Sequence, residues 1–390
     1  MSTVKATNFQ NASSATANMV TDASGNVSFN NAVTVAGDTT ITGSLVPSSS
    51  FLRNRIINGD GRVDQRGTAG TSNGAYGVDR WRLFISSTGT AQTLQSIIYP
   101  PGFQNSIMLD VVTADTSIAA GEYVGVGQLI EGYNIADLNW GTADAKSVTL
   151  SFWVYSTTTG TFCVSFRNSG GVISYVAEYT VSVALTWEYK TITVPGPTTG
   201  TWNQDNSIGL IVTFAGAAGT SWQTTANAWN TGNFLGTSNQ VNLLASATNF
   251  IRFTGVQLEV GTVATPFERQ LYNAQLAQCQ RYYYRVTAAG TSRIFGNGYV
   301  TSTTVADYTT PFPVTMRDEP TALEQTGTAS NYIVVAGSGG VTCSAVPTYL
   351  TSTQWGAQYR LTVASGLITG QAVLCRSATG GTYLGWSAEL

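Results

Sequence analysis

The chain has 390 residues, of which 10% are charged, and its formal net charge is −3. Lys and Arg form no cluster, which excludes the usual electrostatic basis for binding nucleic acid or an anionic membrane surface. No apolar stretch reaches the roughly 18–20 residues that a membrane-spanning helix requires, so membrane insertion is not expected. Residues 1–9 lack the apolar core of a signal peptide, and synthesis in a cytoplasm is therefore expected.

The sequence contains no histidine. This excludes the hydrolase mechanisms that use a His base, and it excludes His-ligated metal sites. The four cysteines form no CxxC pair and no zinc-binding spacing, so we expect buried reduced thiols and neither a metal nor a cofactor. They are Cys163, Cys279, Cys343 and Cys375.

Residues 1–50 are rich in Ser, Thr, Ala and Asn, and they contain a six-residue repeat between Gly25 and Gly43. Each unit opens on a turn-forming residue and continues as a short strand whose alternate residues face one way. One chain cannot cover such an apolar face, whereas three identical chains wound together could. The repeat predicts a triple-stranded β shaft, with a disordered tail as the alternative. The apolar shaft positions are Val27, Phe29, Val33, Val35 and Ile41.

Residues 51–267 change to short segments that alternate apolar and polar side chains and are separated by Gly, Asn and Pro. Such alternation is typical of half-buried antiparallel strands. The pattern predicts a β-sandwich or jelly roll. Its clearest strands cover residues 147–155, 161–167, 187–194, 207–214 and 249–260.

Residues 268–285 are predicted to form the one helix, because helix formers fill the spaces between apolar residues that repeat every three or four positions. Two interpretations remain open. The segment is either a neck that packs against two symmetry copies or a connector that lies on its own domain. The seam residues would be Tyr272, Leu276, Cys279 and Tyr283.

Residues 286–390 return to strand patterns and predict a second β domain, a β-sandwich at the tip of the molecule. The predicted fold is therefore all-β. An N-terminal attachment and shaft segment (1–50) is followed by a jelly-roll domain (51–267), a neck helix (268–285) and a C-terminal β-sandwich tip (286–390).

Four tryptophans lie in polar loops rich in Gly, Thr and Asn. The C–H faces of a sugar stack on aromatic rings, and amide or carboxylate side chains bind its hydroxyls. These loops therefore predict glycan contacts, and the alternative is that each ring anchors its loop on the sandwich core. Trp81, Trp153 and Trp187 lie in strand patterns and are interpreted as core residues. The glycan-stacking candidates are Trp140, Trp202, Trp222 and Trp229, with Asn203, Asp205 and Gln223 beside them.

Asp60, Arg62, Asp64 and Arg66 alternate along the chain. Paired carboxylates could hydrolyse glycosides only if burial raised the pKa of one of them. Neighbouring arginines lower the pKa of a carboxyl group, so these residues are better interpreted as a ladder of ion pairs and turn hydrogen bonds.

Two long motifs stand out in the sequence. The first reads NRIINGDGRVDQRG at residues 54–67, followed by YGVDRW at 76–81. The second reads TGVQLEVGTVATPFER at residues 254–269 and continues as LAQCQRYY at 276–283. Both motifs resemble a family of bacteriophage tail-fibre and virion proteins. The region between them is also similar to the jelly-roll carbohydrate-binding modules of glycan-degrading enzymes. Many such modules hold a structural calcium through an Asp in the closing strand, where this chain has Thr254 and Gly255.

The resemblance implies a non-enzymatic virion protein, a homotrimeric tail fibre that recognises glycans on the host surface. Its expected partners are two further copies of itself, tail or adaptor proteins bound by residues 1–50, and the host glycan. Its expected location is the phage tail, after synthesis in the cytoplasm of the bacterial host. The alternatives are a capsid decoration or collar protein and, in a different class, a polysaccharide depolymerase.

Overall fold

The computed structural model describes the backbone of residues 8–9, 19–21 and 27–29, and it describes residues 52–337 and 339–390 in full. Contacts divide the chain into two units, Met1–Ser50 and Phe51–Leu390. No helix in the described part of the chain is both long and apolar enough to span a membrane.

The first unit contains a small antiparallel sheet in the order β1-β2-β3. Its strands are β1 (Asn8–Phe9), β2 (Met19–Thr21) and β3 (Val27–Phe29). The predicted shaft residues Val27 and Phe29 lie in β3, which pairs with β2 of the same chain. Val33, Val35 and Ile41 lie outside the described residues. The winding of three chains around one another stays a prediction.

The second unit begins with a sandwich of two antiparallel sheets, as the alternating segments predicted. A seven-stranded sheet has the order β14-β11-β10-β13-β8-β5-β4, and a five-stranded sheet has the order β12-β9-β15-β7-β6. The strands are β4 (Tyr76–Val78), β5 (Trp81–Ser86), β6 (Thr90–Ser96), β7 (Ser106–Thr113), β8 (Tyr123–Glu131), β9 (Val148–Ser156), β10 (Gly160–Arg167), β11 (Ile173–Val181), β12 (Glu188–Val194), β13 (Ile208–Ala218), β14 (Trp229–Thr231) and β15 (Phe250–Val260).

The sandwich core lies between the two sheets, where alternate side chains of facing strands meet. Leu150, Phe152 and Val154 of β9 are fully buried there. The ring of Phe152 lies 5.0 Å from that of Phe214 and 6.0 Å from that of Phe253, so one aromatic cluster joins both sheets. This packing makes the two sheets one domain.

The two outer faces of the sandwich differ. Loops cover the outside of the seven-stranded sheet, where Leu235 packs on Cys163 and Ala215 in a small second core. Part of the five-stranded sheet is also covered, because Thr265 of the following segment donates hydrogen bonds to Glu259. The remaining half of that outer face is open.

A single α-helix, α1 (Tyr272–Gln280), follows the sandwich and is half as long as predicted. Glu268 is not helical, and its carboxylate accepts hydrogen bonds from the backbone of Leu52 and Asn54. The helix ends before three consecutive tyrosines, which have a higher propensity for strands than for helices. The described part of the chain also contains five short 3₁₀ turns: Gly132–Asn134, Ala136–Leu138, Thr220–Trp222, Leu243–Ala245 and Ala329–Asn331.

The burial of two of its residues contradicts the predicted trimer seam. Cys279 and Tyr283 are fully buried against their own chain, so they are not available to symmetry copies. Tyr283 also belongs to the next strand and not to the helix. Of the four predicted positions, Tyr272 is half exposed and Leu276 is partly buried. The helix therefore packs as a connector on its own unit.

The C-terminal strands form a closed barrel rather than the predicted sandwich. Its order is β17-β18-β22-β21-β20-β23, and it closes because β23 pairs with β17 on one side and with β20 on the other. A three-stranded sheet in the order β16-β24-β19 packs against it. The strands are β16 (Tyr283–Thr287), β17 (Ile294–Ser302), β18 (Val305–Pro311), β19 (Glu324–Gln325), β20 (Tyr332–Ala336), β21 (Gly339–Thr353), β22 (Gly356–Val363), β23 (Ala372–Ser377) and β24 (Tyr383–Ser387). The prediction of an all-β fold is confirmed.

Candidate functional site

Three of the four predicted glycan-stacking tryptophans form one cluster. Trp140 lies edge-to-face with Trp202 at a centroid distance of 4.8 Å, and Trp229 lies 5.6 Å from each of them. Trp140 and Trp202 are only 3% and 7% exposed. Because a buried ring offers no face to a sugar, the stacking prediction is wrong for these two residues. They anchor loops on the core.

The indole N–H groups of Trp140, Trp222 and Trp229 all donate to backbone carbonyls of the same chain. Trp140 donates to Lys146 O at 2.8 Å, and Trp229 donates to Pro195 O at 2.8 Å. Trp222 is half buried, packs edge-on against Tyr123 at 4.5 Å and donates to Gly121 O at 2.9 Å. The indole nitrogen of each of these rings therefore donates within the chain. Glycan stacking on the partly exposed rings of Trp222 and Trp229 stays a prediction.

The polar residues predicted beside those rings do not converge on one site. Asn203 donates to Ser169 and to the Ile208 carbonyl, and exposed Asp205 accepts from Ser207. Gln223 donates to the Ala218 carbonyl and lines a separate depression with Thr220 and Asn239. Glycan contact by these three residues stays a prediction.

A different aromatic surface lies on the open half of the five-stranded sheet. Because β9 directs Leu150, Phe152 and Val154 inward, Trp153 and Tyr155 must point outward. Trp153 stands opposite Tyr189 of β12, and the two rings are 5.4 Å apart. We call this surface the aromatic face, and it comprises Trp153, Tyr155, Trp187, Tyr189, Phe250 and Arg252.

Tyr155 is the centre of the aromatic face. Its ring lies 5.2 Å from Trp187 and is stacked at 6.1 Å, with an interplanar angle of 11°, on Phe250. Arg252 stands opposite Tyr155 in the register, and its guanidinium lies 3.8 Å from the centroid of Phe250. The rings thus form two groups on the sheet, Trp153 with Tyr189 and Tyr155 with Trp187 and Phe250, and the Arg252 cation lies beside the second group.

Polar groups border the aromatic face on strands β6 and β7. Arg252 donates from Nε to Ser96 at 3.0 Å, and burial lowers the pKa of this arginine. Asp110 stands opposite Phe250 and accepts a hydrogen bond of 2.9 Å from Gln92. No carboxylate of the described residues forms an ion pair with Arg252. The face therefore combines apolar rings, one cation and hydrogen-bonding side chains.

This surface was not predicted from the sequence, because Trp153 and Trp187 lie in strand patterns and were interpreted as core residues. Both rings are partly exposed, and within the described part of the chain neither indole N–H makes a hydrogen bond. The signal was the parity of β9: once Phe152 is assigned to the core, Trp153 belongs to the opposite face.

The Asp/Arg ladder near residue 60 has a structural role. Asp60 pairs with Arg62 at 2.6 Å and accepts from Gln275 of the helix at 2.7 Å. Asp64 accepts from the backbone of Gly67 at 2.7 Å, and burial raises its pKa. The two carboxylates thus have separate partners. Among the described residues, no three Cys, Asp or Glu side chains are grouped as a metal site would require.

No family model matches the chain, and no curated protein matches its sequence. Several solved structures are similar to about half of it. The enzymatically active domain of bacteriophage CBA120 tailspike protein 4 is 15% identical, with a TM-score of 0.29 over 53% of this chain and 21% of that one. A putative sugar binding protein from Bacteroides thetaiotaomicron is 10% identical, with a TM-score of 0.31 over 54% of this chain and 100% of that one. A CBM4 module is 13% identical, with a TM-score of 0.28 over 52% of this chain and 98% of that one. Similarity at this level assigns no ligand to this chain.

Proposed function

We propose that the chain is a non-enzymatic bacteriophage virion protein, a homotrimeric tail fibre that binds glycans on the host surface through the aromatic face. The observation that carries the glycan-binding part is the two groups of partly exposed rings on one sheet face, with two indole N–H groups that have no partner in the described residues. The two phage-like motifs support the virion part. Residues 1–50 would attach the protein to other tail components.

The aromatic face has the chemistry that sugar binding requires. Apolar C–H faces of pyranose rings would stack on Trp187 and Trp153, one in each group of rings. Asp110 and Gln92 would bind hydroxyl groups at the border. Arg252, which lacks a carboxylate partner in the described residues, would bind a hydroxyl or an acidic sugar. Binding at each face would be weak, and several copies on one particle would strengthen it.

Single substitutions on the aromatic face test the glycan-binding proposal. We expect Trp187→Ala and Tyr155→Ala each to weaken binding to an array of bacterial surface polysaccharides by about tenfold or more, because each removes a stacking surface. Tyr133→Ala is the matched control, since Tyr133 is 61% exposed and lies on a 3₁₀ turn outside the face. Wild-type binding by both face variants would refute the assignment of the site.

The mass of the purified chain in solution tests the fibre proposal. Light scattering should give three times 41.2 kDa for the full chain. A second measurement on residues 51–390 shows whether assembly depends on the first unit. A monomer in both preparations would contradict the fibre and favour a decoration protein.

A further inference from the structure

The chain has nine tryptophans, and Trp153 and Trp187 of the aromatic face are partly exposed with an indole N–H that makes no hydrogen bond. One further tryptophan, on the barrel, shares these two properties. Trp355 is 66% exposed, and its Nε1 donates to no described residue. It lies in the two-residue turn between β21 and β22, on the barrel. It lies outside the predicted glycan-stacking residues and outside the aromatic face on the sandwich.

Hydrogen bonds anchor the turn that carries Trp355. The backbone N–H of Phe312 donates to Trp355 O at 2.8 Å, and that of Met316 donates to Gln354 O at 2.8 Å. Gln354 also donates from its side chain to Arg317 O at 3.2 Å. Because these bonds anchor the backbone, ligand binding would have to fix only the two side-chain torsions of the indole, which favours binding.

A cavity of about 360 Å³ opens beside this ring. Its floor is the outer face of the barrel, where Thr309 of β18, Gln358 of β22 and Thr351 of β21 are neighbours in the register. None of these three side chains makes a hydrogen bond to a described residue, so two hydroxyls and an amide are available. The volume lies in the range of small-ligand sites.

The cavity carries no charge. Its lining consists of Thr, Ser, Gln, Pro, Gly, Ala and the one Trp. The nearest charged pair in the register, Asp307 and Arg360, is joined by two hydrogen bonds of 2.7 and 2.9 Å and so neutralises itself. A ring that stacks, together with hydroxyl and amide groups that donate and accept, matches a neutral saccharide better than an anion or a basic peptide.

We infer that the barrel holds a second saccharide site, in which a neutral sugar stacks on Trp355 and hydrogen-bonds to Thr309, Thr351 and Gln358. This inference extends the proposed glycan binding to a surface separate from the aromatic face. Two sites on one chain would let a single copy hold one glycan at two points, or two glycans, and so raise the avidity of the particle.

The test uses the full chain and a background variant, Tyr155→Ala with Trp187→Ala, that disables the aromatic face. The probes are neutral oligosaccharides of glucose, galactose, mannose and N-acetylglucosamine, with binding measured by titration calorimetry and ligand-detected NMR. We expect the background variant to keep binding at least one probe. Adding Trp355→Ala should then weaken that binding by about tenfold or more. Thr351→Val with Gln358→Ala should weaken it by several-fold.

Ile368→Ala is the matched control, because Ile368 is 69% exposed on the same barrel and lies outside the cavity. Loss of all binding in the background variant would overturn the barrel site and leave the aromatic face intact. Binding that survives Trp355→Ala unchanged would also overturn it. If Trp355→Ala abolished binding and the background variant did not weaken it, the barrel site would stand and the aromatic face would fail. A change in the solution mass of Trp355→Ala, without a change in sugar binding, would make this surface a protein contact and refute the inference.

Discussion

Asp79 is a buried carboxyl group whose ionisation should make the stability of the protein depend on pH. It is 1% exposed, and burial raises its pKa to about 7 despite Arg66 at 3.9 Å and hydrogen bonds from Gln65. Between about pH 4 and pH 7 the unfolded chain therefore releases this proton while the folded chain keeps it. The contribution of Asp79 to stability is complete below pH 4 and is lost as the pH rises to 7.

Asp79→Asn should remove this component of the pH dependence. We expect the difference in unfolding free energy between variant and wild type to change by up to about 4 kcal/mol between pH 4 and pH 7, in favour of the variant at the higher pH. Urea denaturation at a series of pH values measures it. Asp144→Asn, at an exposed position, should show no such trend. A difference that stays constant with pH would show that Asp79 ionises in the folded chain as it does in the unfolded one.

The tryptophans show which residue roles the sequence can predict. A polar loop context predicted ligand binding for Trp140 and Trp202, but both rings are buried in a cluster with Trp229. No local pattern shows such packing. The outward direction of Trp153, in contrast, follows from strand parity and could have been predicted from residues 148–156 alone.

At the scale of elements, strand β15 carries an irregularity that changes which side chains face out. The register against β9 shifts between Thr254 and Gln257. Before the bulge the odd-numbered residue Phe253 is in the core, and after it the even-numbered Val256 and Leu258 are. Gly255, with φ +61°, occupies the bulge. Strict alternation over residues 249–260 therefore assigns half of this strand to the wrong face, and the glycine marks the change.

Gly255→Ala should disturb both the sandwich and the aromatic face. An added Cβ would lie 2.6 Å from the ring of Phe103 and 3.3 Å from Trp153, in a backbone conformation that disfavours a side chain. We expect a loss of about 1–3 kcal/mol in unfolding free energy and weaker glycan binding as Trp153 moves. Thermal unfolding and the polysaccharide array measure the two effects. Gly121→Ala, which meets no atom within 4 Å, should change neither. An unchanged array signal for Gly255→Ala would show that Trp153 does not contribute to the face.

For the helix and the barrel, the position of each element could be predicted from the sequence, but the length of the helix and the closure of the barrel could not. Apolar spacing located α1 correctly, since that signal is local to a few turns. Its length was overestimated at both ends, where residues make contacts distant in sequence: Glu268 accepts from Leu52, and Tyr282 donates to Glu131 at 2.6 Å, 151 residues away. Likewise, alternation predicted the C-terminal strands, but barrel closure depends on β23 pairing with two strands that are distant along the chain.

At the scale of the whole second unit, a buried polar network connects the sandwich with Tyr282, which follows the helix, and with the C-terminal residues that follow β24. Arg80 is 1% exposed, and its guanidinium lies 3.6 Å from the ring centroid of Tyr282. It pairs with Glu389 and donates to the Leu129 carbonyl. Arg317 donates to Ala388 O at 2.7 Å and to Asn206 O at 3.1 Å. The partners come from distant parts of the sequence, so this junction was not predictable from local pattern.

Glu389→Ala tests whether this network makes the sandwich and the barrel one cooperative body. The substitution leaves the Arg80 guanidinium buried without its carboxylate, which should lower the unfolding free energy by about 3–5 kcal/mol. Circular dichroism would follow the unfolding of the strands of both domains. We expect a single unfolding transition, shifted to lower stability in the variant. Glu319→Ala removes an exposed carboxylate and is the control.

Replacing the pair together, as Arg80→Met with Glu389→Leu, should recover part of the loss, because apolar side chains of similar volume remove the uncompensated charge. A loss below about 0.5 kcal/mol for Glu389→Ala, or a transition that splits in two, would show that the sandwich and the barrel are stable independently of this ion pair.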